Sequence, residues 1–241
     1  MKHVLITGVS KGLGLVLAQL FLKNEWVVWG ISRSTTPSLE MLRKEFPGQM
    51  NWRSFDLSES ENVREMIFRD FIDLKVSLSG FVNNAAIAYD DIVTNLQIEP
   101  LENMYKVNVF TPMIISKYVI RNMLYHQVPG SIVHISSISA HTGYKGLAMY
   151  ASTKGALEAF SKNTAREWGV KGIRSNCVVA GFMETDMSAT LRDDQKDRIY
   201  YRTALKKATN IHSVAESVYF LHTEKAASIT GQNIHVDSGT I

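Results

Sequence analysis

Short apolar or β-branched runs alternate along the chain with longer segments of helical period, and this alternation limits the possible folds more than any single motif does. The runs at residues 3–7, 26–31, 51–56, 79–83, 131–136, 174–179 and 233–236 read as seven strands. Helical spacing fills the segments near 12–24, 38–46, 59–73, 100–124, 150–169 and 213–223. Strands separated by helices in this way pair in parallel, and the crossovers then cover both faces of the sheet. Right-handed crossovers give a doubly wound α/β sheet of seven strands with helices on both faces. With 241 residues, 45% of them hydrophobic, and no linker, repeat or low-complexity tract, the chain is expected to be one domain over 1–241. The rhythm breaks between Gly181 and Asn210, where Met183, Met187, Leu191, Ile199 and Tyr200 stand among many charges. A long excursion between a strand and the last helix is expected to form a substrate lid over 181–210.

Charge narrows the ligands. The net charge of +3 comes from cations scattered among acids, which argues against nucleic acid as a partner and only weakly for an anionic ligand. The one cysteine, Cys177, cannot close an internal disulfide and sits beside Val178 and Val179, so it reads as a packing residue in a reducing compartment. The run Val4-Leu5-Ile6 is too short for the apolar core of a signal peptide, and no stretch reaches the length of a membrane span. A cytoplasmic protein with no membrane partner is expected, and no metal site.

Thr7-Gly8-Val9-Ser10-Lys11-Gly12-Leu13-Gly14 follows the first strand directly and opens the first helix, the context in which a glycine-rich turn binds a dinucleotide. Glycine lets the backbone approach a pyrophosphate, whose charge meets the unpaired N–H groups and the positive end of the helix. Gly8, Ser10, Lys11, Gly12, Leu13 and Gly14 are therefore candidate cofactor contacts. The second strand ends Trp29-Gly30-Ile31-Ser32-Arg33-Ser34, with no carboxylate to hold the ribose hydroxyls of NAD. Arg33, with Lys11 at the mouth of the turn, suits the 2′-phosphate of NADP(H), the expected cofactor.

Tyr150 and Lys154 are four residues apart, which on a helix places a phenol and an ammonium on one face, one turn apart. A free phenol titrates near about 10 and a lysine near about 10.4, and a neighbouring cation favours the phenolate. Lys154 is therefore expected to lower the Tyr150 pKa and make it a competent proton donor to a developing alkoxide. Such a pair also arises by chance, so its weight comes from its company.

Taken in order, the glycine-rich turn, Asp56-Leu57 after the third strand, Asn83-Asn84-Ala85 after the fourth, Asn108 in the long helix, Ser137 after the fifth strand and the Tyr150/Lys154 pair resemble the short-chain dehydrogenase/reductase family over essentially the whole chain. The resemblance implies a Rossmann-type fold, an NADP-dependent oxidoreductase acting on CH–OH groups, and a catalytic tetrad of Asn108, Ser137, Tyr150 and Lys154. It implies that Asp56, followed by Leu57, contacts the adenine end of the cofactor and that Asn83, Asn84 and Ala85 line its pocket. In that reading Tyr150 gives the proton, Ser137 holds the carbonyl oxygen, Lys154 also binds the nicotinamide ribose, and Asn108 holds a water that reconnects Lys154 to solvent. Ser136 and Ser139 are rival serines, and the register to Tyr150 favours Ser137.

Within the family the likeness is to β-ketoacyl-[acyl-carrier-protein] reductases, carried by Gly181-Phe182-Met183-Glu184-Thr185-Asp186-Met187-Ser188 and by Ile229-Thr230-Gly231-Gln232 with Val236-Asp237. It implies NADPH-dependent reduction of a 3-oxoacyl thioester in fatty acid biosynthesis, with Met183 near the nicotinamide and Thr185 near its amide or the phosphates. The chain departs from the family pattern at Ala86, Ala180 and Ser238. Of two basic positions that dock the acidic acyl carrier protein, one reads His126-Gln127-Val128-Pro129 and the other keeps Lys171. Ile138, His141, Tyr144, Leu147 and Met187 are candidate substrate contacts, forming a mixed apolar and aromatic wall that suits an acyl chain, a ring or a sugar derivative. Another alcohol or ketone, or a catalytically silent NADP-binding regulator, are the alternative functions. The resemblance also implies a homotetramer assembled through the two long helices and the last strand, with Val109, Ile114, Ile115, Tyr118, Met123, Leu157 and Phe160 as apolar surface shared between it and the monomer's own core.

Overall fold

The computed structural model of the chain describes residues 1–185 and 192–241. β1 (His3–Thr7) leads into α1 (Gly12–Lys23), followed by β2 (Val27–Ser32), α2 (Pro37–Glu45), β3 (Met50–Ser54), α3 (Val63–Phe68) and β4 (Leu78–Asn83). The second half runs through α4 (Ile98–Tyr105), a π-helical segment (Lys106–Phe110), α5 (Thr111–His126), β5 (Gly130–Ser137), α6 (Ala148–Trp168), β6 (Ile173–Ala180), α7 (Asp193–Arg202), α8 (Ile211–Leu221) and β7 (Asn233–Val236). All seven strands pair in parallel in the order β3-β2-β1-β4-β5-β6-β7, the doubly wound sheet that the alternation implies. β5 and β6 are buried along nearly their whole length, with Ser131, His134, Ser136, Ser175 and Asn176 buried among their apolar residues.

β1 divides its side chains between two cores, as the two-residue period of a strand requires. Val4 and Ile6 pack with Leu17 and Phe21 of α1 and Val214 and Val218 of α8. Leu5 faces the other way, with Phe81, Ile67 of α3, and Ile115 and Val119 of α5. Among the described residues, no helix is long and apolar enough to cross a membrane.

Several expectations shift. The segment 59–73 forms a 3-10 turn (Ser60–Asn62) and a six-residue α3, because the chain leaves the helix after Phe68 to bury Ile72, only 1% exposed, in the second core. The long helix begins at Ile98, ends at His126 and passes through a π turn in which the Thr111 N–H donates to the Lys106 carbonyl. The stretch read as a lid contains α7, opened by the Gln195 side chain, which accepts from the Arg192 N–H at 3.0 Å. Met187 lies among residues 186–191, outside the described residues. Val109, Ile115, Met123 and Leu157 are buried within the chain, so they serve its own core and offer no surface to a second copy. Phe110, at the start of α5, is 50% exposed.

Two histidines are enclosed in this packing. His134 on β5 lies edge-on between Phe81 and Phe160. His222, just beyond α8, packs edge-on against Phe21 and Trp26, and it fits because Gly80 has no side chain: a Cβ there would stand 2.7 Å from the imidazole. Burial holds His134 down to about 3, with the charge of Lys154 adding to the effect, and burial holds His222 down to about 4, both from an ordinary 6.5. Each is neutral in the folded protein, whereas the unfolded chain takes up protons below 6.5. This contribution to stability is complete above the unfolded pKa and is lost as pH falls toward the folded one, at about 1.4 kcal/mol per pH unit for each histidine. The urea midpoint is therefore expected to fall between about pH 6.5 and 5, mostly above the range where exposed carboxylates titrate. His222→Phe should flatten that slope, and a level profile in the wild-type protein would contradict the account.

Candidate active site

β1 pairs with β2 on one side and with β4 on the other, and the strand order reverses between them. Such a reversal opens a crevice at the carboxyl ends of the strands, where ligands of doubly wound sheets bind. Side chains take over there from the sheet ladder. The Thr7 hydroxyl oxygen accepts from the N–H groups of Asn84 at 3.1 Å and Ala85 at 3.0 Å, while Asn84 Nδ2 donates to the carbonyls of Thr7 at 2.9 Å and Gly8 at 3.4 Å. Asn84 and Ala85 thus meet the glycine-rich turn, as the motif implies. Asn83 is set back in the core, 2% exposed, with Nδ2 at 3.3 Å from His134 Nδ1.

The glycines of the turn have two different reasons. A Cβ on Gly14 would stand 2.0 Å from the Gly8 oxygen, and one on Gly8, whose φ is +78°, would stand 2.9 Å from Asn84 Nδ2. Gly12, with φ +56°, is less crowded: among the described residues a Cβ there would meet only the Thr185 methyl, at 4.0 Å. Among the described residues no side chain caps α1, whose positive end lies at this turn. An open, glycine-lined cradle at an uncapped helix end fits the pyrophosphate of a dinucleotide. Ser10 is fixed by its carbonyl, which accepts the Thr36 hydroxyl at 2.6 Å, while Thr36 also caps α2 by accepting from Leu39 N–H at 3.2 Å. Leu13 is buried in the first core and Lys11 occupies the cap position of α1. Arg33 is exposed just beyond β2, and its carbonyl accepts the Ser54 hydroxyl at 2.7 Å. Asp56 accepts the Ser58 N–H at 2.9 Å, and the carbonyl of buried Leu57 accepts the Thr111 hydroxyl at 2.6 Å.

Tyr150 and Lys154 share one face of α6, with the lysine Nζ 5.5 Å from the centre of the phenol ring. Lys154 is 3% exposed and donates to the Ile135 carbonyl at 2.9 Å. Burial lowers Lys154 to about 8. Burial also raises the Tyr150 phenol above its ordinary value, and the charge of Asp90 adds to the rise. The expected lowering of the phenol by Lys154 is corrected here: loss of water disfavours the charged form of both groups and outweighs their attraction. At neutral pH the pair is a protonated phenol beside an ammonium close to its titration point.

Ser137 closes β5. Its Oγ accepts from the Ser139 N–H at 3.2 Å and the Ser139 hydroxyl at 3.0 Å, which leaves its own proton for another acceptor. Ser136 is buried and donates to Glu158, so Ser137 alone of the three serines is half-buried instead of buried. Asn108 sits in the π segment, where its Oδ1 accepts from Ile87 N–H at 2.9 Å and its Nδ2 donates to the Ile87 carbonyl at 2.8 Å and to Thr153 at 3.2 Å. Those bonds tie the loop after β4 to α6.

The substrate candidates separate. Ile138 is buried, and its carbonyl accepts the N–H groups of His141 and Thr142, each at 2.9 Å, at the start of the 3-10 turn. His141 turns toward α6 and β7, with Nε2 2.9 Å from Glu158 Oε1 and its ring 4.7 Å from that of His235. Burial raises the Tyr144 phenol, and the charges of Arg202 and Asp237 reach it, which puts it beside α7 and the C-terminal segment. Leu147 precedes α6 and accepts the Ala151 N–H at 2.8 Å. Met183 packs against the first core, and Thr185 faces Gly12. The hydroxyls of Thr7 and Thr36 and the carboxylate of Glu158 carry no signal in the sequence beyond their spacing.

A family model described as enoyl-(acyl carrier protein) reductase matches residues 8–240. The 3-oxoacyl-[acyl-carrier-protein] reductase FabG of Escherichia coli strain K12 is 32% identical over 241 residues, covering 99% of this chain and 96% of that protein. The structure of ElxO with NADP bound is 30% identical with a TM-score of 0.88, covering 99% of this chain and 98% of that one. A solved short chain dehydrogenase/reductase family protein is 25% identical with a TM-score of 0.88, over 99% and 96% of the two chains. Motif order, sheet order and likeness over nearly the full length agree, and the chain belongs to the short-chain dehydrogenase/reductase family.

Proposed function

We propose that the protein is an NADPH-dependent reductase that converts a carbonyl to a secondary alcohol, and that the carbonyl belongs to a 3-oxoacyl thioester on acyl carrier protein or a related carrier. The observation that carries this reading is half-buried Tyr150 paired with buried Lys154 beside the carboxyl end of β5, two strands along the sheet from the glycine-rich cradle of α1.

A bound nicotinamide dinucleotide supplies the hydride. Tyr150, kept protonated by burial, donates its proton to the carbonyl oxygen as negative charge develops there. Ser137, whose own hydroxyl proton is uncommitted, holds the same oxygen by a hydrogen bond. Lys154, anchored on the Ile135 carbonyl, stabilises the phenolate once the proton has left and holds the ribose hydroxyls. Asn108 braces the loop after β4 against α6, and a relay water at this residue would return protons to Lys154. Arg33 and Lys11 at the mouth of the turn, with no carboxylate at the end of β2, support NADP(H) over NAD(H). Of the two basic docking positions only Lys171 is kept, and the loss of the other, at His126-Gln127-Val128-Pro129, counts against docking of an acidic carrier.

A second reading keeps the chemistry and changes the ketone, since ElxO resembles the chain about as well as the Escherichia coli reductase does. In either reading the protein is cytoplasmic and associates into a tetramer through the two long helical stretches and β7, with exposed Phe110 of the π segment as apolar surface. Tyr150→Phe is expected to slow NADPH oxidation with an acetoacetyl thioester by about a hundredfold or more, while NADPH still raises the melting temperature. Retained full activity would remove Tyr150 as the donor. Arg33→Ala should weaken NADPH binding in a fluorescence titration far more than NADH binding, and equal losses would rule out a 2′-phosphate clamp.

A further inference from the structure

Four residues beyond Lys154, on the same face of α6, stands a carboxylate that the proposed chemistry does not use. Glu158 is 7% exposed, and its two oxygens have three partners. Oε1 accepts the Ser136 hydroxyl and lies 2.9 Å from His141 Nε2, and Oε2 accepts Asn233 Nδ2 at 2.7 Å. Facing an ionised carboxylate, which only accepts, the His141 nitrogen is the donor. Ser136 immediately precedes Ser137, and His141 immediately follows the 3-10 turn Ile138–Ala140. One carboxylate therefore grips both ends of the turn that presents Ser137, and its third bond fixes the grip to β7. His235 braces His141 from the other side, ring against ring at 4.7 Å and 70°.

The energetics favour a directional role. A buried carboxylate loses its hydration, and charge-assisted hydrogen bonds offset that loss only when its lone pairs are well met. An apolar side chain of similar size would fill the same space with no such loss. What an apolar residue cannot do is hold Ser136 and His141 in a fixed relation to each other.

We propose that Glu158 is a positioning residue, which sets the Ser137 turn through Ser136 and His141 without touching substrate or cofactor. The effect on turnover rests on Ser137 acting as the holder of the carbonyl oxygen. Two measurements on the full-length protein test it. In Glu158→Gln, hydrogen–deuterium exchange across residues 137–142 is expected to rise while exchange at the start of α1 stays unchanged. Turnover with an acetoacetyl thioester should fall on the order of tenfold to a hundredfold, with the NADPH dissociation constant unchanged. Ser136→Ala, which removes one arm of the grip, should shift both quantities in the same direction by less, and it carries the test if Glu158→Gln does not fold. Unchanged exchange across 137–142 overturns the proposal, and so does faster exchange with undiminished turnover. If the wild-type protein binds NADPH but reduces no carbonyl, the reductase reading fails separately, and the exchange data still decide whether Glu158 holds the turn.

Discussion

The bond set between Thr7 and Asn84 is the constraint on which the rest of the site depends. Where β1 and β4 part, main-chain groups lose their ladder partners, and one hydroxyl and one amide replace them. The Gly8 carbonyl is thereby held against Gly14, which fixes the angle at which α1 leaves the turn. A valine at position 7 would have nearly the same shape, yet it would orphan two N–H groups at a cost of about 1–3 kcal/mol each. The crevice is thus a product of the sheet's topology, made usable by a handful of polar side chains that patch its edges.

The architecture was legible because short apolar stretches such as Val4-Leu5-Ile6 and Cys177-Val178-Val179 mark the buried strands, and because the segments between strands are long enough for crossover helices. The site was legible where a residue type has few other reasons to occur at its spacing, as with the glycines of the first turn and the Tyr150/Lys154 pair. Legibility failed where a tertiary partner decides the role. His141 reads as a wall residue until the fold sets it against Glu158, and α3 reads as longer until Ile72 is drawn into the core. Glu158 carries no signal in the sequence, since nothing local reveals that Ser136, His141 and Asn233 converge on it. α7 was hidden among charges, because a helix with no buried residue leaves no apolar stripe to detect.

Burial also reverses the simplest electrostatic reading of the catalytic pair. Two opposite tendencies act on Tyr150, attraction to a cation and loss of water, and the second prevails. A phenol held in its protonated form suits a donor, because it releases its proton only when an adjacent oxygen has become basic enough to take it.

Lys154 has a consequence of its own. Its ammonium carries three N–H bonds, and among the described residues the Ile135 carbonyl accepts one of them. With a titration point of about 8, the group is partly neutral in mildly alkaline solution. Any ligand oxygen set against the remaining N–H bonds favours the charged form, so binding above that pH draws a proton from solvent. Affinity at this face of α6 is then coupled to proton activity, tightening on acidification through about 8, and the occupancy of the site and the charge of its lysine become a single equilibrium.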